Sequence, residues 1–438
     1  MSSTTTVTMS SEKQQQQHLQ QPQAPDLSKH PKLTREQAGH LRHFHNLVSQ
    51  PDNDRNLMGS QEPLREFLDA HRYQLATMAY AAELAHYRRQ PALRSVHKKL
   101  IRQTTHKMLL RAVWAYWLTQ AWRLIGMRLR DARLGTSVVD DVLEKYKAAW
   151  EKKGLVGSDG LLPDAWMFRQ DFTIRPKDPA WTAWGSAFMN SWNGSLVKSA
   201  LIRLLSVGNE FRKLVKEDGA APDSQETLQR AVENEKEAEA GKKDGFPYTK
   251  PMFGYTVQWL SELGKEADLT ALLDYADKKL RPQWERGGLY YPRNDEPFDE
   301  EMRWTHMDPF SGNAAIGYAR LNVEDGQKII WERPWTAKDV STRPFVDAIT
   351  LADGVDFLRG DWSEEEKMLV LTVRSWDGST KTMRPSLRNL GPGTWNVFVD
   401  GQLRLSRTLS AGEDIALEVQ VGHWDLDIVA VKQLQYGE

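Results

Sequence analysis

The spacing of the apolar residues changes near Pro334, and this change is the strongest constraint on the fold. Upstream, apolar side chains recur at helical intervals, as in residues 62–89, and Pro91 ends that pattern. Downstream, apolar and polar residues alternate in short runs, and Asp400-Gly401 between two of them is a hairpin-turn signal. The runs are residues 368–374, 394–399, 403–405, 415–421 and 425–431. The sequence therefore predicts a mainly helical body followed by a small antiparallel β-sandwich.

Roughly ten helical segments precede the switch, several of them paired as hairpins. Gly154 is expected to cap one helix, Asn193-Gly194-Ser195 to form a turn between two others, and Gly264 with Asp268 to mark a further turn. Paired helices with a β-module on one side predict an α/α toroid. We expect a disordered Gln-rich tail over residues 1–30, a toroid-like helical domain over residues 31–336 and the β-sandwich over residues 340–438. Residues 217–245 are expected to be a charged, solvated insertion.

Composition narrows the classes of function. Lys and Arg total 58 against 59 Asp and Glu, so no overall charge favours nucleic acid or a membrane surface. The chain has no Cys, which excludes disulfides, thiolate metal sites and thiol nucleophiles. The sequence shows no signal-peptide pattern and no apolar run of bilayer length, so we expect a cytoplasmic protein without a membrane span. Neither the His spacing nor any Gly-rich loop indicates a metal or a cofactor. A hydrophobic small molecule is the expected partner, and a homo-oligomer stays open.

Four stretches are similar to linalool dehydratase-isomerase and its fungal relatives. Their order and spacing carry the resemblance, which extends over roughly residues 40 to 335. They are residues 72–80 (RYQLATMAY), 107–117 (KMLLRAVWAYW), 181–192 (WTAWGSAFMNSW) and 253–264 (FGYTVQWLSELG). The resemblance implies an (α/α)6 toroid whose central funnel holds a hydrophobic alcohol or alkene.

The sequence departs from that family after residues 113–117 (VWAYW). In the family, the corresponding helix precedes a central segment with an Asn-Ile-Met-Tyr motif, a His and two Cys. Here residues 118–120 run directly into residues 121–127 (AWRLIGM), which resemble the family's next helix, on the far side of that segment. The resemblance therefore implies an incomplete toroid without the family's central segment, and the family's cysteine mechanism cannot be carried over.

Dehydrating or isomerising a terpenoid alcohol needs an acid, a base and a dry pocket that stabilises an allylic cation. Aromatic faces can supply the last of these. Tyr73 and Tyr80, with Tyr87 after them, recur every seven residues and would lie along one helix face. The alternative is a packed aromatic stripe, which we favour for Tyr87. Further aromatic residues are expected to line a substrate site, namely Trp181, Trp184, Phe188 and Tyr255.

Two other places are candidates for acid-base chemistry. The resemblance implies a carboxylate in the loop after the first helix, where Asp54 is the better match and Asp52 the second. The alternative, which we favour, is an Asp-rich turn that caps the next helix and has no catalytic function. His306 and Asp308 could form an acid-base pair at the funnel mouth. The alternatives are a helix cap for Asp308 and a surface position for His306.

Three functions stay open at this point. The first is a cofactor-independent dehydratase-isomerase acting on a terpenoid or other hydrophobic alcohol in secondary metabolism. The second is a glycan-active toroid, either a hydrolase or an epimerase, since that architecture also serves sugar chemistry. The third is a catalytically inactive, shortened relative.

Overall fold

The computed structural model describes most of the chain. It covers residues 22–51, 68–109, 123–154, 162–163, 165–167, 171–174, 181–197, 253–296, 299–300, 305–308 and 312–433. Asp52 and Asp54, the insertion at 217–245 and the junction at 118–122 lie outside these residues. So do residues 1–21 of the expected tail.

Eleven α-helices occur among the described residues, all before the β-module. They are α1 (Arg35–Val48), α2 (Leu68–Arg88), α3 (Arg94–Leu109), α4 (Arg123–Leu134), α5 (Val138–Lys153), α6 (residues 181–197), α7 (Phe253–Glu262), α8 (Glu266–Lys279), α9 (Gly312–Leu321), α10 (Gly326–Glu332) and α11 (Ala337–Thr342). None of these helices is both long enough and apolar enough to cross a bilayer.

Local signals account for several helix ends. Thr34 and Gln37 form a capping box at the start of α1. Pro91 lies between α2 and α3, as expected, and Gly154 ends α5 with a positive φ of 77°. These helix limits are confirmed because each depends on chemistry within a few residues.

One expected turn is wrong, and a second is only partly as expected. Residues 181–197 form one continuous helix through Asn193-Gly194-Ser195. Trp192 and Val197 on either side of this tripeptide are buried in one core cluster, and that packing overrides the weak helix propensity between them. Gly264 does lie in a turn, at φ 65°, but Asp268 is inside the first turn of α8.

Fourteen short strands occur among the described residues. They are β1 (Ala165–Met167), β2 (Phe172–Ile174), β3 (Gln283–Glu285), β4 (Gly288–Tyr290), β5 (Phe345–Asp347), β6 (Val355–Ser363), β7 (Met368–Ser375), β8 (Lys381–Met383), β9 (Ser386–Arg388), β10 (Gly393–Val399), β11 (Gln402–Leu409), β12 (Ile415–Ala416), β13 (Val419–Val421) and β14 (Leu426–Lys432). Strands β5 to β14 make the C-terminal module, so the expected helical domain followed by antiparallel sheets is confirmed.

The main sheet of this module has the strand order β11-β10-β14-β7-β6, and all its pairings are antiparallel. Smaller sheets, β12-β9-β5 and β13-β8, supply the second layer. Leu371 of β7 packs in the same core cluster as Met383 of β8 and Leu387 of β9. The predicted Asp400-Gly401 turn joins β10 to β11, with both residues at positive φ as a type I′ turn requires.

Residues 415–421 were expected to be one strand, and this is wrong. They form β12, which pairs with β9, and β13, which pairs with β8. The interruption lets one short stretch contribute to two separate sheets.

The helical domain and the β-module share one hydrophobic core. The largest cluster of buried side chains includes Leu84 and Leu93 beside Val355, Phe357 and Trp395. Backbone bonds reinforce the contact: the amide of Leu33 donates to the carbonyl of Leu358, and that of Ala92 to the carbonyl of Gly360, each at 2.7 Å.

The last residues of the expected tail also contact the main sheet. His30 is buried and bridges Asp361 and Glu366, at 2.7 and 2.8 Å from its two ring nitrogens. Leu27 packs on the outer face of the sheet, against a cluster that contains Val370. Residues 27–30 therefore belong to the folded structure on the face opposite the shared core.

Candidate active site

The tyrosines at seven-residue spacing on α2 have two different environments. Tyr73 is buried and meets Trp181 and Trp184 edge-on, at ring-centre distances of 5.5 and 5.3 Å. Tyr80 lies 5.1 Å from Phe188. Tyr87 instead stacks on Trp335 at 4.1 Å and accepts a hydrogen bond from its backbone amide at 3.0 Å. The packing role favoured for Tyr87 therefore matches its surroundings.

Helix α6 supplies the opposite wall. Trp181, Trp184 and Phe188 are spaced three and four residues apart and so lie on one face of the helix. Trp184 meets Trp181 at 6.0 Å and Phe188 at 5.8 Å, both nearly perpendicular. Such edge-to-face contacts are one of the arrangements that aromatic rings prefer.

Helix α7 completes the group through Tyr255, which is fully buried. Its ring lies 5.6 Å from Trp181 and 5.4 Å from Trp184. The structure thus brings six of the predicted site residues together from three helices. We call them the aromatic cluster: Tyr73, Tyr80, Trp181, Trp184, Phe188 and Tyr255. The six rings pack against one another, and their faces can attract positive charge.

A carboxyl group that the sequence analysis missed lies beside this cluster. Glu83 is half-buried on α2, one turn after Tyr80. Burial raises the pKa of Glu83 to about 7, although Arg133 acts in the opposite direction. The pKa of Tyr80 is raised as well, first by burial and then by the charge of Glu83. A carboxyl group with a pKa near neutrality can both donate and accept a proton.

A second buried carboxyl group, Glu262 on α7, is also raised in pKa to about 7 by burial. It accepts hydrogen bonds from the side chains of Asn190 and Asn322 at 3.1 and 2.9 Å. The backbone amides of Gln327 and Lys328, at the start of α10, also donate to it. Glu262 therefore caps α10 from a neighbouring helix, and its oxygens are occupied by these donors.

Three uncharged polar side chains, also missed, complete the surroundings. They are Gln258 on α7, Tyr318 on α9 and Gln327 on α10, and each is 0% exposed. The ring of Tyr318 lies 6.2 Å from Phe188 and so borders the aromatic cluster. Gln258 could have been found, because it is three residues after Tyr255 on the same face of a predicted helix. The sequence carries no comparable signal for Tyr318 and Gln327.

His306 and Asp308 are both buried, each 1% exposed, so His306 is not at the surface. Met307 between them pairs with Asn294 through backbone hydrogen bonds of 2.9 and 3.2 Å. Met307 also packs in a second core cluster with Val257 and Trp259. Their acid-base role stays a prediction, as does that of Asp54, which lies outside the described residues.

The described residues contain no group of three or more His, Asp or Glu side chains that could hold a metal ion. Near the aromatic cluster, the described side chains that could coordinate a metal are isolated carboxyl groups and neutral amides. What the geometry offers is an apolar aromatic wall with one titratable carboxyl group at its edge.

Comparison with known protein families shows to which family the chain belongs. The linalool dehydratase/isomerase family model matches residues 72–123 and 120–297, just over half of the chain. The two matched segments meet at the junction where the central segment is expected to be absent. All six residues of the aromatic cluster lie within the match, whereas Asp54, His306 and Asp308 lie outside it. No curated protein matches the chain. The chain belongs to the linalool dehydratase/isomerase family.

Proposed function

We propose that this protein is a cofactor-independent lyase or isomerase that acts on a terpenoid or other hydrophobic alcohol, in secondary metabolism. The family is one of lyases and isomerases, which supports the reaction type. The observation that carries the proposal is the aromatic cluster, because six rings from three helices converge within the family match. A hydrocarbon body fits such a wall, and the ring faces stabilise an allylic cation.

We assign the acid-base steps to Glu83, with Tyr80 beside it. The protonated carboxyl group gives its proton to the hydroxyl oxygen of the alcohol. The carbon-oxygen bond then breaks, its electron pair leaves with water, and an allylic cation remains. The carboxylate takes a proton from the neighbouring carbon, which yields the diene and restores the acid. A carboxyl pKa of about 7 suits both transfers near neutral pH.

One alternative has support of its own. The family match is divided at residues 120–123, and the chain has no Cys. Both facts favour a shortened relative that folds without catalysing the reaction. The glycan-active alternative would need two available carboxyl groups facing each other. Glu262, the second buried one near the cluster, is occupied as a helix cap.

The test compares this chain with a version in which a relative's central segment is grafted between Gln120 and Ala121. Both are incubated with linalool-like allylic alcohols, and dienes and isomers are measured by gas chromatography. We expect turnover by the natural chain. Turnover by the grafted version alone would establish the inactive alternative.

Variants of the natural chain test the assignment of the acid. Glu83→Gln should lower kcat by roughly 100-fold or more, the usual contribution of a positioned acid or base. Glu144→Gln, at an exposed position of α5, is the matched control and should have wild-type turnover. Equal rates for Glu83→Gln and Glu144→Gln would remove Glu83 from the mechanism.

A further inference from the structure

Three buried polar groups beside the aromatic cluster make no hydrogen bond of normal geometry to any described residue. They are the hydroxyl of Tyr318 and the side-chain amides of Gln258 and Gln327, in which both the nitrogen and the oxygen are unpaired. All three residues are 0% exposed. Buried polar groups are nearly always paired in folded proteins, because leaving them unpaired is costly. Three such groups on three helices therefore require an explanation.

These groups lie close to one another. Burial, the Glu262 charge and Tyr80 raise the pKa of Tyr318, whereas the side chains of Gln327 and Gln258 lower it, because they approach its hydroxyl as hydrogen-bonding groups. Glu262 is one turn after Gln258 on α7 and accepts several hydrogen bonds. The Glu262 carboxyl group is thus well supplied with donors, whereas the two amides have, among the described residues, only the Tyr318 hydroxyl within reach. An amide offers two donor and two acceptor sites, so bonding capacity remains on both Gln258 and Gln327.

The same groups adjoin the apolar wall. Tyr318 meets Phe188 edge-on, at 6.2 Å and 70°, and Phe188 in turn contacts Tyr80 and Trp184. Gln258 is one turn from Tyr255 on α7. A set of hydrogen-bonding groups at the edge of an aromatic cluster is complementary to a molecule with a hydrocarbon body and one polar end.

We propose that Tyr318, Gln258 and Gln327 form a hydroxyl-binding subsite, in which the oxygen of a hydrophobic alcohol lies among these three side chains while its hydrocarbon body lies against Phe188. A hydroxyl group both donates and accepts hydrogen bonds, and the three side chains offer donors and acceptors to match. An alkene has neither capacity. The subsite therefore retains the alcohol and releases the alkene that dehydration forms. This inference rests on the proposed function, because it places the ligand at the aromatic cluster.

Binding without turnover gives the direct test. Tetrahydrolinalool has no double bond and cannot form an allylic cation, and dimethyloctane is its parent alkane. Affinities of the full chain for both are measured by the quenching of tryptophan fluorescence. For Tyr318→Phe, we expect the ratio of the two dissociation constants to shift against the alcohol by roughly 3- to 10-fold relative to the wild type. Affinity for the alkane should be unchanged.

Tyr291→Phe is the matched control. Tyr291 is also 0% exposed, but its hydroxyl donates to Asp277 and accepts from Arg320 at 2.9 Å. Its loss should lower the Tm and leave the affinity ratio unchanged. Tyr318→Phe should leave the Tm nearly unchanged or higher, because it removes a buried hydroxyl that makes no hydrogen bond of normal geometry to a described residue.

The outcomes separate the two proposals. If both ligands bind and the ratio is the same in Tyr318→Phe and the wild type, the hydroxyl-binding subsite is refuted while the aromatic site stands. If neither ligand binds the wild type, the proposed function fails, and the subsite fails with it. A ratio that shifts equally in Tyr291→Phe would also refute the subsite, since the effect would then be general.

Discussion

At the scale of single residues, Arg42 is a buried polar link between the helices and the β-module. It is 3% exposed on α1, and its Nε donates to Asp356 at 2.8 Å. Its two terminal nitrogens donate to the carbonyls of Leu351 and Val355. A buried ion pair of this kind adds little net stability while it is complete, but losing one partner is costly.

Arg42→Ala should therefore lower the free energy of unfolding by about 3–5 kcal/mol, measured by urea denaturation at pH 7. The substitution leaves the Asp356 carboxylate, whose pKa burial raises, without its partner. Arg384→Ala breaks an exposed pair with Glu418 and should cost no more than about 1 kcal/mol. Similar losses in the two variants would show that burial of the pair is not what matters.

Sequence predicts single residues well only when their spacing carries the information. Tyr73 and Tyr80 could be placed on one face because they are seven residues apart on a helix. Arg42 and Glu262 could not be distinguished from solvated charges, because their partners are far away in the sequence. Their burial is decided by tertiary contacts that no local pattern contains.

At the scale of helices and strands, too, the sequence predicts an element when its local pattern is regular and fails when tertiary contacts decide the structure. The strand Met368–Ser375 was predicted within one residue because its apolar run is uninterrupted. Strand β6 was not predicted, since Arg359 and Gly360 are buried in it and a bulge between Phe357 and Arg359 shifts its register. A pattern of alternating apolar residues cannot reveal such a strand.

The contact between α9 and α1 gives a prediction for a glycine. A Cβ on Gly317 would lie 2.6 Å from the tip of the Phe44 ring. Gly317→Ala should lower the free energy of unfolding by about 1–3 kcal/mol, despite the higher helix propensity of Ala. Phe44→Leu in the same chain should restore part of the loss, as measured by urea denaturation.

Gly126→Ala in α4 is the control, because nothing lies within 4 Å of the added Cβ. It should raise the free energy of unfolding by about 0.5–1 kcal/mol. If Gly317→Ala were equally stabilising, α1 and α9 would have to be less closely packed than they are here.

At the scale of the whole molecule, five buried histidines are concentrated on the first three helices. Burial is the main cause that lowers the pKa of each, to about 3 for His43 and His97, about 4 for His45 and well below the ordinary value for His40 and His86. His86 and His97 stack at 4.5 Å. All five are neutral in the folded protein near pH 7, whereas the unfolded chain takes up a proton on each below about pH 6.5.

Stability should therefore fall as the pH decreases from 7 towards 5. The raised pKa values of Glu83 and Glu262, about 7 each, act in the opposite direction, because the folded protein binds those protons first. With five histidines against two carboxyl groups, the free energy of unfolding should decrease by roughly 4 kcal/mol per pH unit near pH 5.5. Urea denaturation at several pH values between 7.5 and 5 measures this slope. A flat profile would contradict the burial of neutral histidines.

The link between His30 and Asp361 has a consequence for how the protein is made. These residues are 331 positions apart, and Arg42 and Asp356 are separated by 314. A ribosome adding about 5–20 residues per second needs roughly 15–65 seconds to cover that distance. Throughout this time the sheet-facing side of α1 is outside the ribosome without its partner strands, and it can be covered only by a chaperone or by incorrect contacts. The yield of folded protein should therefore depend on chaperone supply and on the speed of translation.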